Sequence, residues 1–329
     1  MLPLDVTTIT VPGQQLHHGL TFPLVFENRT PGLELAAVLP WLQSKSAELG
    51  DLASAHGAIL FRGFPVVTAE DFDQFLSAFG WPNFAYEDSL SNAVRINRTP
   101  RVFTANEAPP TVTIFLHHEL AQTPEYPSHL FFFCELPAAS GGTTPICRSD
   151  ILWERLAAAC PKFAEDCECK GLRYSNVMPG EADLQSGMGR SWQSTLKAQT
   201  REQAETRLTQ MGYEWTWLPH DCLRVTTPVL PAVRRLPGGR TSFFNQLIAA
   251  FQGWKDDRND PSRAITFGDG TPLDRDAVNV ATRLGDELSF DIPWQRGDVA
   301  LVDNFVAMHG RRTFVGPRKV LASLISAIR

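Results

Sequence analysis

Residues 299–325 read VALVDNFVAMHGRRTFVGPRKVLASLI. Two runs in it, Val299 to Val302 and Val320 to Ile325, are short, apolar and flanked by turn residues, which predicts two strands. Between them stands His309, and Arg318 opens the second run. A histidine at the end of one strand and an arginine at the start of the next can face a single cavity. Arginine there offers a two-pronged grip on a carboxylate.

Upstream lies Phe115-Leu116-His117-His118-Glu119. In a strand, alternate residues share a face, so His117 and Glu119 would point one way and His118 the other. An imidazole and a carboxylate so placed supply two of the three ligands of a facial triad for non-haem Fe(II). A second histidine from elsewhere completes it and leaves one side of the metal open. Alone, the pair is weak: a structural histidine beside a surface glutamate is the commoner case. The metalloprotease pattern HExxH fails, because Gln122 stands where its second histidine is needed.

Other elements are readable around these two stretches. Thr68 with Asp71 forms a capping-box-like helix start, followed by Phe72, Phe75, Leu76 and Phe79 at helical spacing and stopped by Gly80. Leu33 to Leu49, Gln199 to Met211 and Asp274 to Leu288 also read as helices. Ala58 to Phe61, Thr111 to Leu116 and Leu130 to Cys134 read as strands, with Phe131-Phe132-Phe133 filling the core. The pattern predicts an α+β chain with N-terminal helices and a β-sandwich or barrel core. The stretch of roughly 150–290 reads as a helical insertion. Since 117, 119 and 309 would serve one site from both halves of the chain, residues 1–329 are expected to form a single domain.

Composition narrows the function. The chain has 329 residues, 43% hydrophobic and 20% charged, with formal charge −6, which excludes a disordered chain and disfavours a nucleic-acid binder. No apolar run approaches the ~20 residues of a membrane span. The start lacks a basic segment leading into an apolar one, so no secretory signal is expected. The six cysteines show no paired CxxC spacing, consistent with free thiols in a reducing cytoplasm.

Taken together, these stretches resemble the TauD/TfdA family of Fe(II)/2-oxoglutarate-dependent dioxygenases, in particular its clavaminate-synthase-like branch. The likeness begins at Gly57-Ala58-Ile59-Leu60-Phe61-Arg62-Gly63-Phe64 and runs through Val102 to Glu107, His117 to Gln122 and Gly141-Gly142-Thr143-Thr144-Pro145. It continues through Phe244-Asn245-Gln246 and Pro293 to Asp298, and closes with His309-Gly310-Arg311-Arg312 and Arg318 to Ser323. The resemblance implies a double-stranded β-helix, or jelly roll, carrying iron at its mouth. It assigns His117, Glu119 and His309 to the metal, and Thr144 and Arg318 to the distal carboxylate of 2-oxoglutarate. Fe(II), 2-oxoglutarate and O2 are then the expected cofactor, cosubstrate and oxidant, with succinate and CO2 released. Glu119 stands where many relatives use Asp. Its presence argues against halogenation, since related halogenases lack this carboxylate.

The expected substrate is a small molecule, such as an amino acid or an amino-acid-derived intermediate, with hydroxylation the default and desaturation or cyclisation open. A carrier-protein-tethered amino acid is the nearest variant, with Arg234, Arg235 and Arg240 as the basic patch an acidic carrier would need. The chain's own negative charge favours the free molecule. Asn106, Arg190, Asn245 and Arg312 are candidates for substrate contact, each weighed against an ordinary structural bond. Residues 187–192, glycines around a cation and an aromatic ring, resemble a mobile cover. A non-catalytic metal-binding jelly roll would have no need of a cosubstrate grip, and a zinc hydrolase would leave Arg318 unexplained. Histidines 17, 18, 56, 118, 129 and 220 are expected to be structural or solvated.

Overall fold

The computed structural model describes residues 4–91, 93–105, 107–183, 186, 188–255, 258–260 and 263–326. Two sheets position everything that follows. The larger has seven strands in the order Val6–Thr8, Leu24–Asn28, Ala58–Arg62, Val299–Asp303, His129–Leu136, Lys319–Ile325 and Phe103–Thr104. Its pairs are antiparallel except Leu24–Asn28 with Ala58–Arg62. The smaller has four strands in the order Ser289–Ile292, Thr144–Arg148, Ala307–Arg311 and Ile114–His117, all antiparallel.

The two-residue period of a strand sorts side chains between layers. From the larger sheet Leu60, Phe132, Ala300, Val302, Val320, Ala322 and Leu324 face the smaller one, meeting its Ile146, Phe290, Ile292 and Ala307. The alternate residues Ile59, Phe61, Phe131, Phe133, Val299, Leu301 and Leu321 pack outward onto helices Leu35–His56 and Ala69–Ser77, through Val38, Leu42, Phe72 and Phe75. The triple phenylalanine thus serves two cores at once. On the smaller sheet, Leu116, Cys147 and Met308 turn away into a third cluster with helices Ser149–Ala159, Leu247–Gly253 and Arg275–Glu287. Their neighbours His117 and His309 are thereby directed to the space between the sheets.

The helix reading holds at Thr68, where Asp71 N donates to Thr68 Oγ1 (3.1 Å) and Thr68 N to the Asp71 carboxylate (3.0 Å). Such a cap contributes about 1 kcal/mol. The helices expected near 199–211 and 274–288 span Arg201–Gln210 and Arg275–Glu287. The first helix runs on to His56 rather than stopping at Leu49, because Leu49 and Ala53 continue its buried stripe until Gly57 ends it at φ 86°.

The stretch of roughly 150–290 departs from the mainly helical expectation. Besides its helices, it carries a four-stranded sheet of Glu214–Leu218, Cys222–Thr226, Leu172–Met178 and Ile265–Phe267. The alternation was present in the sequence: Leu223 and Val225 are buried on either side of exposed Arg224. The overall class is mixed helix and sheet. No helix among the described residues is long and apolar enough to cross a membrane.

Candidate metal and cosubstrate site

His117 is the last residue of its strand and His309 sits directly opposite it on the neighbouring strand, with ring centroids 4.3 Å apart. Pairing of adjacent strands alone accounts for this proximity, since opposed side chains on one sheet face are neighbours. The strand tolerates it because Gly310 follows: a Cβ there would lie 2.5 Å from the Ile114 carbonyl.

Glu119 is not on the strand. The chain leaves the sheet after His117 and turns through Leu120 at a positive φ of 59°. A buried amide holds this turn. Asn304 Oδ1 accepts from Glu119 N (2.8 Å), while Asn304 Nδ2 donates to the carbonyls of Glu119 (3.0 Å) and Pro127 (2.8 Å). His118 is fully buried on the opposite side, between the Asn304 carbonyl and Ser149 Oγ, as its structural role required.

The result is a cluster. One ligand atom each from His117, Glu119 and His309 lies within 4.8 Å of the others. Glu119 Oε2 stands 3.5 Å from His309 Nε2 and 3.9 Å from His117 Nε2. The His117 Nδ1–H donates to the Phe115 carbonyl (2.8 Å), so Nε2 carries the lone pair. Burial and the neighbouring His309 push the His117 imidazole down to about 4, which keeps it neutral. Burial opposes ionisation of Glu119, but the adjacent Arg95 guanidinium and both imidazoles outweigh it and hold the carboxyl well below the usual range. Two imidazole nitrogens and one carboxylate, all on one side, form a donor set suited to Fe(II) with open positions.

A small chamber of about 50 Å³ continues behind the histidines, lined by Phe132, Thr144, Arg311, Arg318 and Val320 among others. Thr144 Oγ1 accepts from Trp294 Nε1 (2.9 Å) and, more weakly, from Arg318 Nη2 (3.4 Å). Arg318 Nε donates to the Gly142 carbonyl (2.8 Å), which sets the guanidinium at the chamber's end. Burial, with Arg311 nearby, pushes Arg318 down to about 10, so it stays charged at neutral pH. Lys319 turns away to the Glu135 carboxylate at 3.8 Å. In front of His117 and Glu119 opens a second cavity of about 460 Å³, walled by Arg95, Phe115, Gln122, Met188, Gln246 and Trp254 among others.

The weaker sequence candidates separate here. Asn106 and Gly187 lie outside the described residues. Arg190 is not a free cation: Nη1 donates to the Ser89 carbonyl (2.9 Å), Nη2 to those of Glu87 (2.8 Å) and Ser194 (3.0 Å). It braces a loop, because a half-buried guanidinium places its donors on nearby carbonyls. Arg312 spends its charge on Asp286 (2.7 Å) and Asp291 (3.1 Å) away from both cavities. Asn245 is fully buried and closes a turn, donating to the Ala232 carbonyl (2.8 Å) and accepting from Leu247 N (2.8 Å). Its neighbour Gln246 reaches the cavity instead. Within the supposed cover, Met188 lines the large cavity, whereas Trp192 is buried and bonded to Asp221.

Arg95, Asn304 and Trp294 were missed. Asn304 and Trp294 fall inside the motifs quoted above but bear no ionisable group to attract notice. Arg95 has no motif at all around it.

Comparison with known proteins agrees with this geometry. The pattern of the Taurine catabolism dioxygenase TauD, TfdA family matches residues 17–324. The chain belongs to that family, and is an iron- and 2-oxoglutarate-dependent dioxygenase. It is 38% identical to a clavaminate synthase-like protein of Arabidopsis thaliana, across 98% of this chain and 99% of that one. It is 28% identical to the dapdiamide synthesis protein DdaC of Enterobacter agglomerans, over 85% of each. In fold it is similar to PvcB of Pseudomonas aeruginosa, with a TM-score of 0.55 at 16% identity, covering 99% of this chain and 92% of that one.

Proposed function

We propose that His117, Glu119 and His309 hold one Fe(II) at the mouth of a jelly roll formed by the two facing sheets. Thr144 and Arg318 grip the distal carboxylate of 2-oxoglutarate in the chamber behind. Residues 1–329 act as one catalytic domain, with the insertion of roughly 150–290 walling the larger cavity. The observation that carries this reading is the alignment of the two nitrogens and one carboxylate oxygen between that chamber and the cavity.

When bound, iron supplies the activation of O2 that couples loss of CO2 from 2-oxoglutarate to oxidation of a substrate C–H bond. The protein's part is to bind and orient. The neutral His117 imidazole and the ionised Glu119 carboxylate present lone pairs without losing a proton first. Arg318 and Thr144 fix the cosubstrate's far end, so its 2-oxo acid end is directed to the metal. Atoms balance as substrate, O2 and 2-oxoglutarate giving hydroxylated substrate, succinate and CO2.

The substrate is proposed to be an amino acid or an amino-acid-derived small molecule, a reading supported by the likeness to a dapdiamide synthesis protein. A cavity of about 460 Å³ suits a molecule of that size. A free molecule is favoured over a carrier-tethered one. Arg235 is paired with Glu168, Arg240 with Asp150, and Arg234 lies 3.9 Å from the Phe305 ring, so the patch suggested for an acidic carrier is engaged within the chain. A cytoplasmic setting fits the six free cysteines.

Anaerobic addition of Fe(II) and 2-oxoglutarate is expected to produce a visible charge-transfer band. Succinate release over an amino-acid panel then identifies the substrate. Absence of both the band and succinate would sink this proposal.

A further inference from the structure

Among the described residues, Arg95 is the one cation paired with the proposed metal ligands, and no motif of the sequence assigns it a task. Its Nη2 donates to Glu119 Oε1 at 2.8 Å. The side chains are 9% and 5% exposed, so this is a buried ion pair. The guanidinium carbon lies 4.4 Å from the Tyr86 ring centroid and 5.2 Å from that of Phe103. Tyr86 is itself anchored, its hydroxyl in contact with Ser91 Oγ and the Ala93 carbonyl at 2.7 Å each. Among the described residues Glu119 is the carboxylate that Arg95 pairs with, and Arg95 Nε has no hydrogen-bond partner.

The two oxygens of Glu119 are therefore divided. Oε1 is on Arg95, while Oε2 faces the two imidazole nitrogens at 3.5 and 3.9 Å. We propose that Arg95 is a positioning residue that restricts Glu119 to binding the metal through Oε2 alone. This deepens the triad reading above and rests on it.

The need follows from glutamate's geometry. Compared with aspartate it has one more methylene and one more rotor, so its carboxylate can swing and bind through both oxygens. Two-oxygen binding would occupy a position that a facial triad must leave open. A charge-assisted bond to a guanidinium packed against the Tyr86 and Phe103 rings removes that freedom. Arg95 borders both the small chamber and the large cavity, so an untethered Oε1 would have open space to enter. The backbone of Glu119 is already locked by Asn304, which leaves the side-chain torsions as the remaining freedom.

The test measures Mn(II) affinity by electron paramagnetic resonance and the anaerobic Fe(II)/2-oxoglutarate band in the full-length protein. Wild type is compared with Arg95→Met, Arg95→Lys, Glu119→Asp and the Arg95→Met/Glu119→Asp double variant. Arg95→Met is expected to bind Mn(II) about 10- to 100-fold more weakly, the range for an outer-shell partner, and to shift the band. Arg95→Lys should keep most of the affinity and a near-native band. In the Glu119→Asp background the same Arg95→Met change should cost less, because the shorter arm needs no tether.

Unchanged affinity and band in Arg95→Met, with only a raised KM for substrate, would make Arg95 a substrate cation and overturn the proposal. Equal losses in Arg95→Met and Arg95→Lys, with lowered melting temperatures in both, would make it a purely structural ion pair and also overturn it. If wild type itself binds no Mn(II) and shows no band, the triad assignment fails first, and that result is distinct from either of these.

Discussion

The small chamber and the large cavity meet at His117, yet they are built differently. Most of the chamber's residues sit on or beside strands of both sheets: Phe132, Thr144, His309 and Val320 lie within strands, and Arg318 stands one residue before one. The large cavity is walled mostly from outside the two sheets, by Ser91, Ala93 and Arg95, by residues of 108–113, by Asp183, Ser186 and Met188, and by residues of 246–255. Strands fixed on both sides by ladder hydrogen bonds hold atoms to close tolerances, whereas loops can vary without unfolding the core. The chamber is therefore suited to an invariant cosubstrate, and the cavity to whatever substrate this enzyme takes.

That contrast can be broken most severely at the junction. His309→Ala is expected to weaken Mn(II) or Fe(II) binding by at least ~100-fold, exceeding the losses seen for outer-shell partners. A metal titration would read this, and near-native binding would remove His309 from the site.

Next comes the chamber's cation. Arg318→Ala should raise the dissociation constant for 2-oxoglutarate about 10- to 100-fold, since a hydrogen bond to a charged group contributes about 1.5–3 kcal/mol. Metal affinity without cosubstrate should stay near native. Unaltered cosubstrate affinity would transfer the role to another cation, although Lys319 is turned toward Glu135.

A change in the cavity wall should act on the other side alone. Trp254→Ala is expected to raise the substrate KM up to about 10-fold, in keeping with ~0.5–1.5 kcal/mol for an aromatic contact. The Fe(II)/2-oxoglutarate band should not move. A shifted band would show that the two compartments are coupled rather than separate.

The smallest effect is expected at Arg312, whose side chain is 32% exposed in its pairs with Asp286 and Asp291. Arg312→Ala should lower stability by about 0–1 kcal/mol in a denaturant melt, with substrate KM unaltered. A large rise in KM would restore it as a substrate contact.

The same division governs what could be read from sequence. His117, Glu119, His309, Thr144 and Arg318 were legible because each stands in a short pattern tied to strand ends, and the structure brings all five together. Arg190, Asn245 and Arg312 were ambiguous for one reason: a polar side chain in a loop looks alike whether it awaits a ligand or bonds to its own backbone. All three bond within the chain. The turn at Pro237-Gly238-Gly239 between two strands was legible, but the four-stranded sheet at 172–267 was overlooked because helices with strong caps surround it, and short alternating runs such as Cys222–Thr226 carry less signal than a capped helix.

Sequence by itself determined the strand alternation that sends Leu116 and Met308 one way and His117 and His309 the other. It also supplied the donor types and the family. These are local properties, set by residue chemistry and a period of two. Tertiary structure alone decided that Arg95 would take one oxygen of Glu119 and that Asn304 would pin the turn beneath it, across 24 and 185 residues of chain. No local pattern encodes such partners, because a hydrogen bond depends on where two distant segments come to rest.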